Sequence, residues 1–250
     1  RIVVTRSREQ ASTLAESLRT LGAQVIEFPL ARYLAPSDTA PFDQALARLP
    51  AFGWIAFTSA NAIRFTWERL RALGRDARDL AGVKIGVIGA ASSSALERHG
   101  LRANLIPREA TSEALAEDLI AHERPGTILL PQADNARPTL AQRLSAAGWS
   151  VTTVTAYRSE PERPTIDLAA EPVDAVTFAS SATVERFVQV CGQATLRRLT
   201  AAGCRFHAIG PQTAATMESL GLPVAARAAQ ASIDGLVEAV VADAKRVRGG

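Results

Sequence analysis

Hydroxyl and amide side chains follow several short apolar runs in this chain of 250 residues, and each stands directly before a helical pattern. A strand that enters such a turn and then a helix presents free backbone N–H groups and the positive end of the helix dipole. This arrangement suits the binding of carboxylate or phosphate groups. The side chains of this kind that we take as candidate binding residues are Thr58, Ser59, Asn61, Ser92, Thr111, Ser180, Ser181, Thr213 and Ser232.

These turns occur twice, because the chain repeats itself. WIAFTSANAIRF from Trp54 is similar to DAVTFASSATVERF from Asp174, and KIGVIGAASSSALERHGL from Lys84 is similar to RFHAIGPQTAATMESLGL from Arg205. Three pairs of hydroxyl residues are each 121 residues apart: Ser59 with Ser180, Ser92 with Thr213, and Thr111 with Ser232. The repeat predicts two copies of one α/β design, with an active site between them.

Each of these side chains also has a purely structural interpretation. Ser, Thr, Asn and Asp before a helix commonly act as N-caps, and any one of them alone is best read that way. Capping does not require both copies to keep a hydroxyl at all three positions, which favours a shared binding role. Retention of ancestral sequence is the remaining alternative.

Composition and charge exclude several classes of function. The net charge is only +3, and nearly all positive charge is arginine, so a nucleic-acid partner is not expected. Arg6 and Arg137 follow strand ends and are the best candidates for carboxylate contacts. The three histidines have no ligand spacing and are predicted to lie at the surface or at helix ends, so no metal is expected. The loops after Gly89 and Gly210 do not complete a dinucleotide-binding pattern.

Short apolar runs alternate with helical patterns, which predicts parallel sheets covered on both faces, that is, an α/β fold. The runs predicted as strands are residues 2–5, 25–28, 55–58, 85–88, 105–107, 128–131, 151–155, 175–178, 206–209 and 224–226. The helices predicted between them are residues 10–21, 61–73, 92–99, 112–121, 139–147, 183–190, 213–220 and 233–247. Glycines suited to ending helices are Gly22, Gly74, Gly100, Gly148 and Gly221.

Two stretches that contain several prolines, residues 29–41 and 156–172, mark the predicted domain boundaries. A cut near Pro125 would leave only a short turn between the halves. The preferred division gives a discontinuous domain of residues 1–30 and 165–250, a middle domain of residues 38–156, and linkers at 31–37 and 157–164. Each domain then has five parallel strands, and the middle one is a circular permutation of the other. Two linker segments would let the domains close on a ligand.

A series of motifs in a fixed order over both halves resembles the uroporphyrinogen-III synthase family. The strings that carry the resemblance are IVVTR at Ile2, FTSANAIR at Phe57, VIGAASSSAL at Val87, ATSEAL at Ala110, VTAYRS at Val154, FASSATV at Phe178, AIGPQTA at Ala208 and ASIDGL at Ala231. The resemblance implies two flavodoxin-like domains joined by a two-stranded linker. It also implies a cofactor-free lyase of heme biosynthesis that cyclises hydroxymethylbilane with loss of water and inversion of the terminal pyrrole ring.

The resemblance assigns roles to particular residues. Tyr157, in the predicted second linker, matches the family's tyrosine, which implies that it faces the cleft and hydrogen-bonds the departing hydroxyl as the catalytic residue. Packing of its ring under the hinge is the alternative. The motif IVVTR adds Thr5 to the substrate-binding set. The loop before Arg137 lacks the glycines common in the family.

Two other classes share a two-domain α/β plan. A solute-binding module would need an export signal, and a sugar-nucleotide transferase would need a longer chain and a nucleotide loop. Ligand binding without turnover would favour the first, and nucleotide binding the second. The chain shows no leader and no apolar run of membrane length. We therefore expect a cytoplasmic monomer without membrane or nucleic-acid partners, whose one protein contact is transient and with the enzyme that supplies the bilane.

Overall fold

The computed structural model describes residues 1–248, without the side chains of residues 8–10, 12 and 248. The strands in this part of the chain are β1 (Ile2–Val4), β2 (Val25–Glu27), β3 (Ala31–Leu34), β4 (Trp54–Phe57), β5 (Lys84–Val87), β6 (Thr127–Ala133), β7 (Ser150–Pro161), β8 (Ala175–Phe178), β9 (Arg205–Ala208) and β10 (Val224–Arg227). The helices are α1 (Arg8–Thr20), α2 (Ala40–Ala47), α3 (Ala60–Ala72), α4 (Ala90–Glu97), α5 (Ser112–His122), α6 (Thr139–Ala146), α7 (Ser181–Ala201), α8 (Pro211–Ser219) and α9 (Ile233–Arg248).

The chain divides into two compact units. Residues 1–32 and 160–250 form what we call the discontinuous unit, and residues 33–159 form the middle unit. The sheet of the first has the strand order β10-β9-β8-β1-β2, and the other sheet has the order β3-β7-β6-β4-β5. Two five-stranded sheets with helices between the strands confirm the predicted α/β fold.

Alternation along the central strands divides each core between the two faces of its sheet. In β4, Ile55 and Phe57 pack into one buried cluster, while Trp54 and Ala56 pack into another. In the discontinuous unit, Val3 and Val4 of β1 likewise enter different clusters. Because both faces are covered by helices, these strands consist almost wholly of apolar residues, which is typical of parallel sheets.

The fifth strand of the middle unit is not the one predicted. Residues 105–107 form only a single bridge, between Leu105 and Gly86, because Pro107 has no N–H to extend a ladder. The fifth place is filled by β3, which falls within the predicted linker 31–37. The predicted linker 157–164 likewise begins inside the long strand β7.

Helical predictions differ from the structure in two places. The helix predicted at 183–190 continues as α7 to Ala201 across a kink at Gly192, whose φ of 66° interrupts the helical backbone. Helix α2 was not predicted. Pro41 does not prevent this helix, because it lies in the first turn, where proline is tolerated. The five glycines predicted to end helices all have positive φ, as a left-handed helix terminus requires.

Candidate active site

Four of the predicted hydroxyl residues cap helices. Ser59 Oγ accepts a hydrogen bond from the Ala62 N–H at 3.0 Å. The corresponding distances for the other three caps are 3.1 Å from Thr111 to Ala114, 3.3 Å from Ser180 to Thr183 and 3.0 Å from Ser232 to Gly235. Each oxygen therefore satisfies one of the N–H groups that a helix leaves without an internal partner. The hydroxyl proton of each side chain is not used in this bond.

The remaining symmetric pair, Ser92 and Thr213, differs from these caps. Helices α4 and α8 begin after Gly89 and Gly210, which provide no side-chain cap. Ser92 and Thr213 lie in the first turns and are only 2% and 4% exposed. Within the described part of the chain, neither hydroxyl makes a hydrogen bond to the protein. Both units thus contain a helix N-terminus with uncapped amides beside a buried hydroxyl.

Small residues bring a second helix N-terminus against each of these turns. A Cβ added at Gly89 would lie 2.9 Å from the Cβ of Ala110, the residue before the Thr111 cap. In the other unit, a Cβ at Gly210 would lie 3.5 Å from the Cβ of Ala231, which precedes Ser232. The N-termini of α4 and α5, and those of α8 and α9, therefore lie side by side, so their positive ends act on the same region.

Tyr157 lies in the core of the middle unit and is 7% exposed. Its Oη is 3.0 Å from Ser59 Oγ. Its ring stacks on Phe65 with centroids 5.4 Å apart and meets the edge of Tyr33 at 5.7 Å. Burial raises the pKa of the phenol, while its interactions with Ser59 and Asn61 oppose that rise. The ring thus has the packing role considered above, and its hydroxyl reaches the N-terminus of α3.

Two residues of α3, Arg64 and Phe65, were not among the predicted site residues. Phe65 provides the stacking surface, and the guanidinium of Arg64 lies 4.2 Å from the Phe65 ring centroid. Arg64 Nη1 binds Glu68 Oε1 at 3.1 Å, but the buried Nε and Nη2 have no hydrogen-bond acceptor. Nε and Nη2 form the edge of the guanidinium that pairs with a carboxylate through two parallel bonds. Both residues lie within the repeated string WIAFTSANAIRF, yet their spacing gives no local sign of this contact.

The other predicted residues occupy varied environments. Thr5 is fully buried and donates to the Thr177 carbonyl at 2.8 Å, so its hydroxyl joins neighbouring strands. Ser181 donates to the Gln212 carbonyl at 3.3 Å and links the beginnings of α7 and α8. Asn61 is buried in the first turn of α3. Thr58 and Arg6 are partly buried and Arg137 is exposed; all three follow the strand ends from which they were predicted.

His207 corrects a prediction made for the histidines. It is buried on β9, and its Nε2 lies 3.0 Å from Oδ2 of the buried Asp243 on α9. Arg205 and Arg246 pair with the same carboxylate. This contact anchors α9 to the sheet of the discontinuous unit. It could not be predicted because its partners lie far apart in sequence.

Neither a metal cluster nor a membrane span was found in the described residues. Among residues 1–248, no three His, Cys, Asp or Glu side chains are grouped so that they could hold a metal ion. Over the same range, every helix is too short or too polar to cross a membrane.

Comparisons with known proteins agree with one another. The family model described as Uroporphyrinogen-III synthase HemD matches residues 12–238. A uroporphyrinogen-III synthase of Synechococcus elongatus is 32% identical over 249 residues, which cover 96% of this chain and 93% of the relative.

Solved structures share the fold. A mutant uroporphyrinogen III synthase from the extremely thermophilic bacterium Thermus thermophilus matches with a TM-score of 0.70 at 20% identity, covering 98% of this chain and 99% of that one. The uroporphyrinogen-III synthetase from Helicobacter pylori matches with a TM-score of 0.61 at 15% identity, covering 96% and 98%. Because the family model spans most of the sequence and the Synechococcus relative is matched over nearly its full length, the chain belongs to the uroporphyrinogen-III synthase family.

Proposed function

We propose that this protein converts hydroxymethylbilane to uroporphyrinogen III in heme biosynthesis, and that each unit binds substrate carboxylates at its uncapped helix N-terminus. The observation that carries the binding proposal is the matched pair at Ser92 and Thr213. Both hydroxyls are buried in the first turn of a helix that begins after a glycine, at equivalent positions of the two repeats. Simple capping does not explain this pair, because neither side chain caps its helix.

The substrate is a flexible linear tetrapyrrole whose rings carry carboxylate side chains. Free N–H groups of a helix's first turn, aided by the helix dipole, are suited to bind such groups without a fixed positive charge. The hydroxyls of Ser92 and Thr213 add one donor each. Arg64 at the start of α3 is a cationic group suited to pair with a substrate carboxylate, because the Nε–Nη2 edge of its guanidinium lacks an acceptor.

Proton donation by Tyr157 assists the first chemical step. The phenol gives its proton to the hydroxymethyl oxygen, the C–O bond breaks, and water leaves an azafulvene cation stabilised by the electron-rich pyrrole. The substituted carbon of the terminal ring then bonds to the azafulvene methylene, which gives a spiro intermediate. The bond from that carbon to its original methylene bridge breaks, and the released methylene bonds to the unsubstituted α-carbon of the same ring, so the ring is inverted. The final loss of a proton from carbon balances the proton donated at the start. Holding the chain in this geometry is the larger part of catalysis.

The direct test uses freshly generated hydroxymethylbilane and separates the product isomers. The purified protein should give the type III isomer in the presence of a chelator and without added cofactor. A reaction without protein gives the rate of spontaneous closure to the symmetric isomer. Formation of only the symmetric isomer, at the spontaneous rate, would refute the assignment; dependence on a metal would refute its cofactor-free form.

We also propose a cytoplasmic location and a transient contact with the enzyme that supplies the bilane. Free bilane closes spontaneously to the wrong isomer, so a short transit between the enzymes would protect it. A coupled assay tests the contact. Both enzymes are diluted together at a fixed ratio, and the fraction of symmetric isomer is measured. If the enzymes make contact, this fraction should rise less on dilution than it would if the bilane diffused freely between separate enzymes.

A further inference from the structure

The hydroxyl groups of Ser59 and Tyr157 form a connected pair at the start of α3. Ser59 Oγ accepts from the Ala62 N–H at 3.0 Å and lies 3.0 Å from Tyr157 Oη. A serine hydroxyl has one proton to donate besides its acceptor lone pairs. In the described chain, Tyr157 Oη is the only acceptor within reach of the Ser59 proton. If Ser59 donates to Tyr157, its hydroxyl both accepts a hydrogen bond, from Ala62, and donates one.

This direction determines where the phenol proton can go. If Tyr157 donated to Ser59, its proton would be consumed inside the protein and the serine proton would lack an acceptor. If Ser59 donates, the phenol oxygen is held as an acceptor and its own proton can point to another group. The interaction with Asn61 also lowers the pKa of the phenol, as a donor to the same oxygen does, so it leaves the phenol proton available. The stack on Phe65 and the edge contact with Tyr33 hold the ring in place. Rotation of the hydroxyl about the Cζ–Oη bond is then the main motion left to the phenol.

The repeat supplies a comparison for this arrangement. Ser180 is the counterpart of Ser59 and caps α7 in the same way, accepting from the Thr183 N–H at 3.3 Å. Its second neighbour is the Thr183 hydroxyl, also at 3.3 Å, instead of a tyrosine. The cap is thus common to both units, whereas the contact with a phenol belongs to the middle unit.

We propose that Ser59 is a positioning residue that donates its proton to Tyr157 Oη and thereby directs the phenol proton toward the leaving hydroxyl of the substrate. This inference deepens the proposed function and rests on it. A donor to the phenol oxygen also stabilises the negative charge that develops there as the proton leaves. Ser59 therefore acts on the reaction through Tyr157.

The first test follows the Tyr157 phenol without any substrate. The chain has two tyrosines, so ¹³Cζ labelling of tyrosine gives two signals, and Tyr157→Phe identifies the one from Tyr157. Ser59→Ala should raise the pKa of Tyr157 further, because it removes an interaction that lowers that pKa. The other groups that influence this pKa, namely Tyr33, Asp134 and Asn61, are unchanged in the variant. Ser180→Ala removes a matched helix cap and should leave the Tyr157 titration unchanged.

The second test is a double-mutant cycle on kcat with hydroxymethylbilane. Ser59→Ala should lower kcat about tenfold in the parent and have little effect in the Tyr157→Phe background. Ser59→Thr should restore most of the loss because it keeps the hydroxyl. Ser180→Ala should have the same effect on kcat with or without Tyr157.

The two tests separate failure of this inference from failure of the proposed function. A Tyr157 pKa unchanged by Ser59→Ala, or an equal loss of kcat in both backgrounds, would overturn the inference while the synthase activity stands. If the parent makes no type III isomer, the proposed function fails. The titration then still decides whether Ser59 donates to the phenol, and an unchanged pKa would overturn that step.

Discussion

The beginnings of α3 and α7 have the same cap but different neighbours. Ser59 and Ser180 each accept from a first-turn N–H, yet only Ser59 also contacts a phenol. The phenol belongs to Tyr157 on β7. In the strand orders of the two sheets, β7 occupies the place next to β6 that the much shorter β2 occupies next to β1. The repeat therefore conserves how a helix begins, while a longer strand brings an aromatic hydroxyl to one of the two copies.

The beginnings of α4 and α8 show the opposite relation, because here the two units agree. Each has glycine at the cap and a buried hydroxyl in the first turn. Features shared by both units suit a task performed twice, such as binding carboxylates along an extended substrate. A feature found in one unit suits a task performed once, such as the loss of a single water. This contrast leads us to place the chemistry at Tyr157 and the binding at the paired turns.

The strongest test of the contrast is Tyr157→Phe. We expect kcat to fall about 100-fold, at the lower end of what positioned proton donors contribute. Phenylalanine keeps the ring and its stack on Phe65, so the protein should unfold at nearly the same urea concentration. Tyr33→Phe is the matched control and should retain kcat close to the parent. Equal losses in the two variants would show that the tyrosines only pack.

Substitution of the two cap glycines tests how closely the neighbouring turns approach. Gly89→Ala should destabilise the protein by about 2 kcal/mol, because its Cβ would lie within 3 Å of Ala110 and force the turns apart. Gly210→Ala has ordinary van der Waals contact with Ala231 and controls for the change of cap residue. Urea unfolding measures both. Ala110→Gly should rescue Gly89→Ala, and failure to do so would show that the loss has another cause.

Removal of the buried hydroxyls should have a moderate effect in both units. Ser92→Ala and Thr213→Ala should each lower kcat/KM about tenfold, as expected for one hydrogen bond to a charged group, worth about 1.5 kcal/mol. Steady-state kinetics at several bilane concentrations gives both values. A large loss for one variant with none for the other would contradict a binding task shared by the two units.

The smallest expected effect concerns acid stability, in which the units also differ. Burial lowers the pKa of His207 in the discontinuous unit and, mainly through burial, that of the partly exposed His99 in the middle unit. A lowered histidine pKa gives stability that is complete above the ordinary value of 6.5 and is lost as the pH falls below it. His207→Gln should therefore flatten the decline in the free energy of unfolding between about pH 7.5 and 5.5.

The matched variant His99→Gln should flatten this decline less, because His99 is partly exposed. Each effect is small, because a histidine with a lowered pKa can change the free energy of unfolding by at most about 1.4 kcal/mol for each pH unit below its ordinary pKa. A greater flattening for His99→Gln would reverse the assignment of acid sensitivity to the discontinuous unit.

The repeat made the turns and their pairing predictable from sequence. Ser92 and Thr213 could be matched from the constant offset alone, and apolar runs placed most strands. The sequence could not distinguish the capping role of Ser59 and Thr111 from the free hydroxyl of Ser92. That distinction depends on whether the residue precedes its helix or lies within its first turn, and helix ends cannot be read that finely from patterns.

Contacts distant in sequence explain what was missed. Strand β3 exists because β7 is long enough to pair with it, and nothing within the segment Ala31–Leu34 indicates that partner. The same pairing brings Tyr33 against Tyr157, although the sequence pattern assigns both to linkers. The contacts of Arg64 and Phe65 could not be predicted, because they depend on how α3 is oriented relative to β7. In each case local pattern gave the element, but tertiary packing determined what it contacts.

We propose that Tyr157 performs the chemistry and that the paired turns bind substrate carboxylates. One kinetic comparison separates these roles: kcat and KM of Tyr157→Phe are measured beside those of the Ser92→Ala/Thr213→Ala double variant on fresh hydroxymethylbilane. We expect Tyr157→Phe to lower kcat about 100-fold with KM near the parent, whereas the double variant mainly raises KM and still makes the type III isomer. A fully active Tyr157→Phe beside an inactive double variant would refute this division of roles.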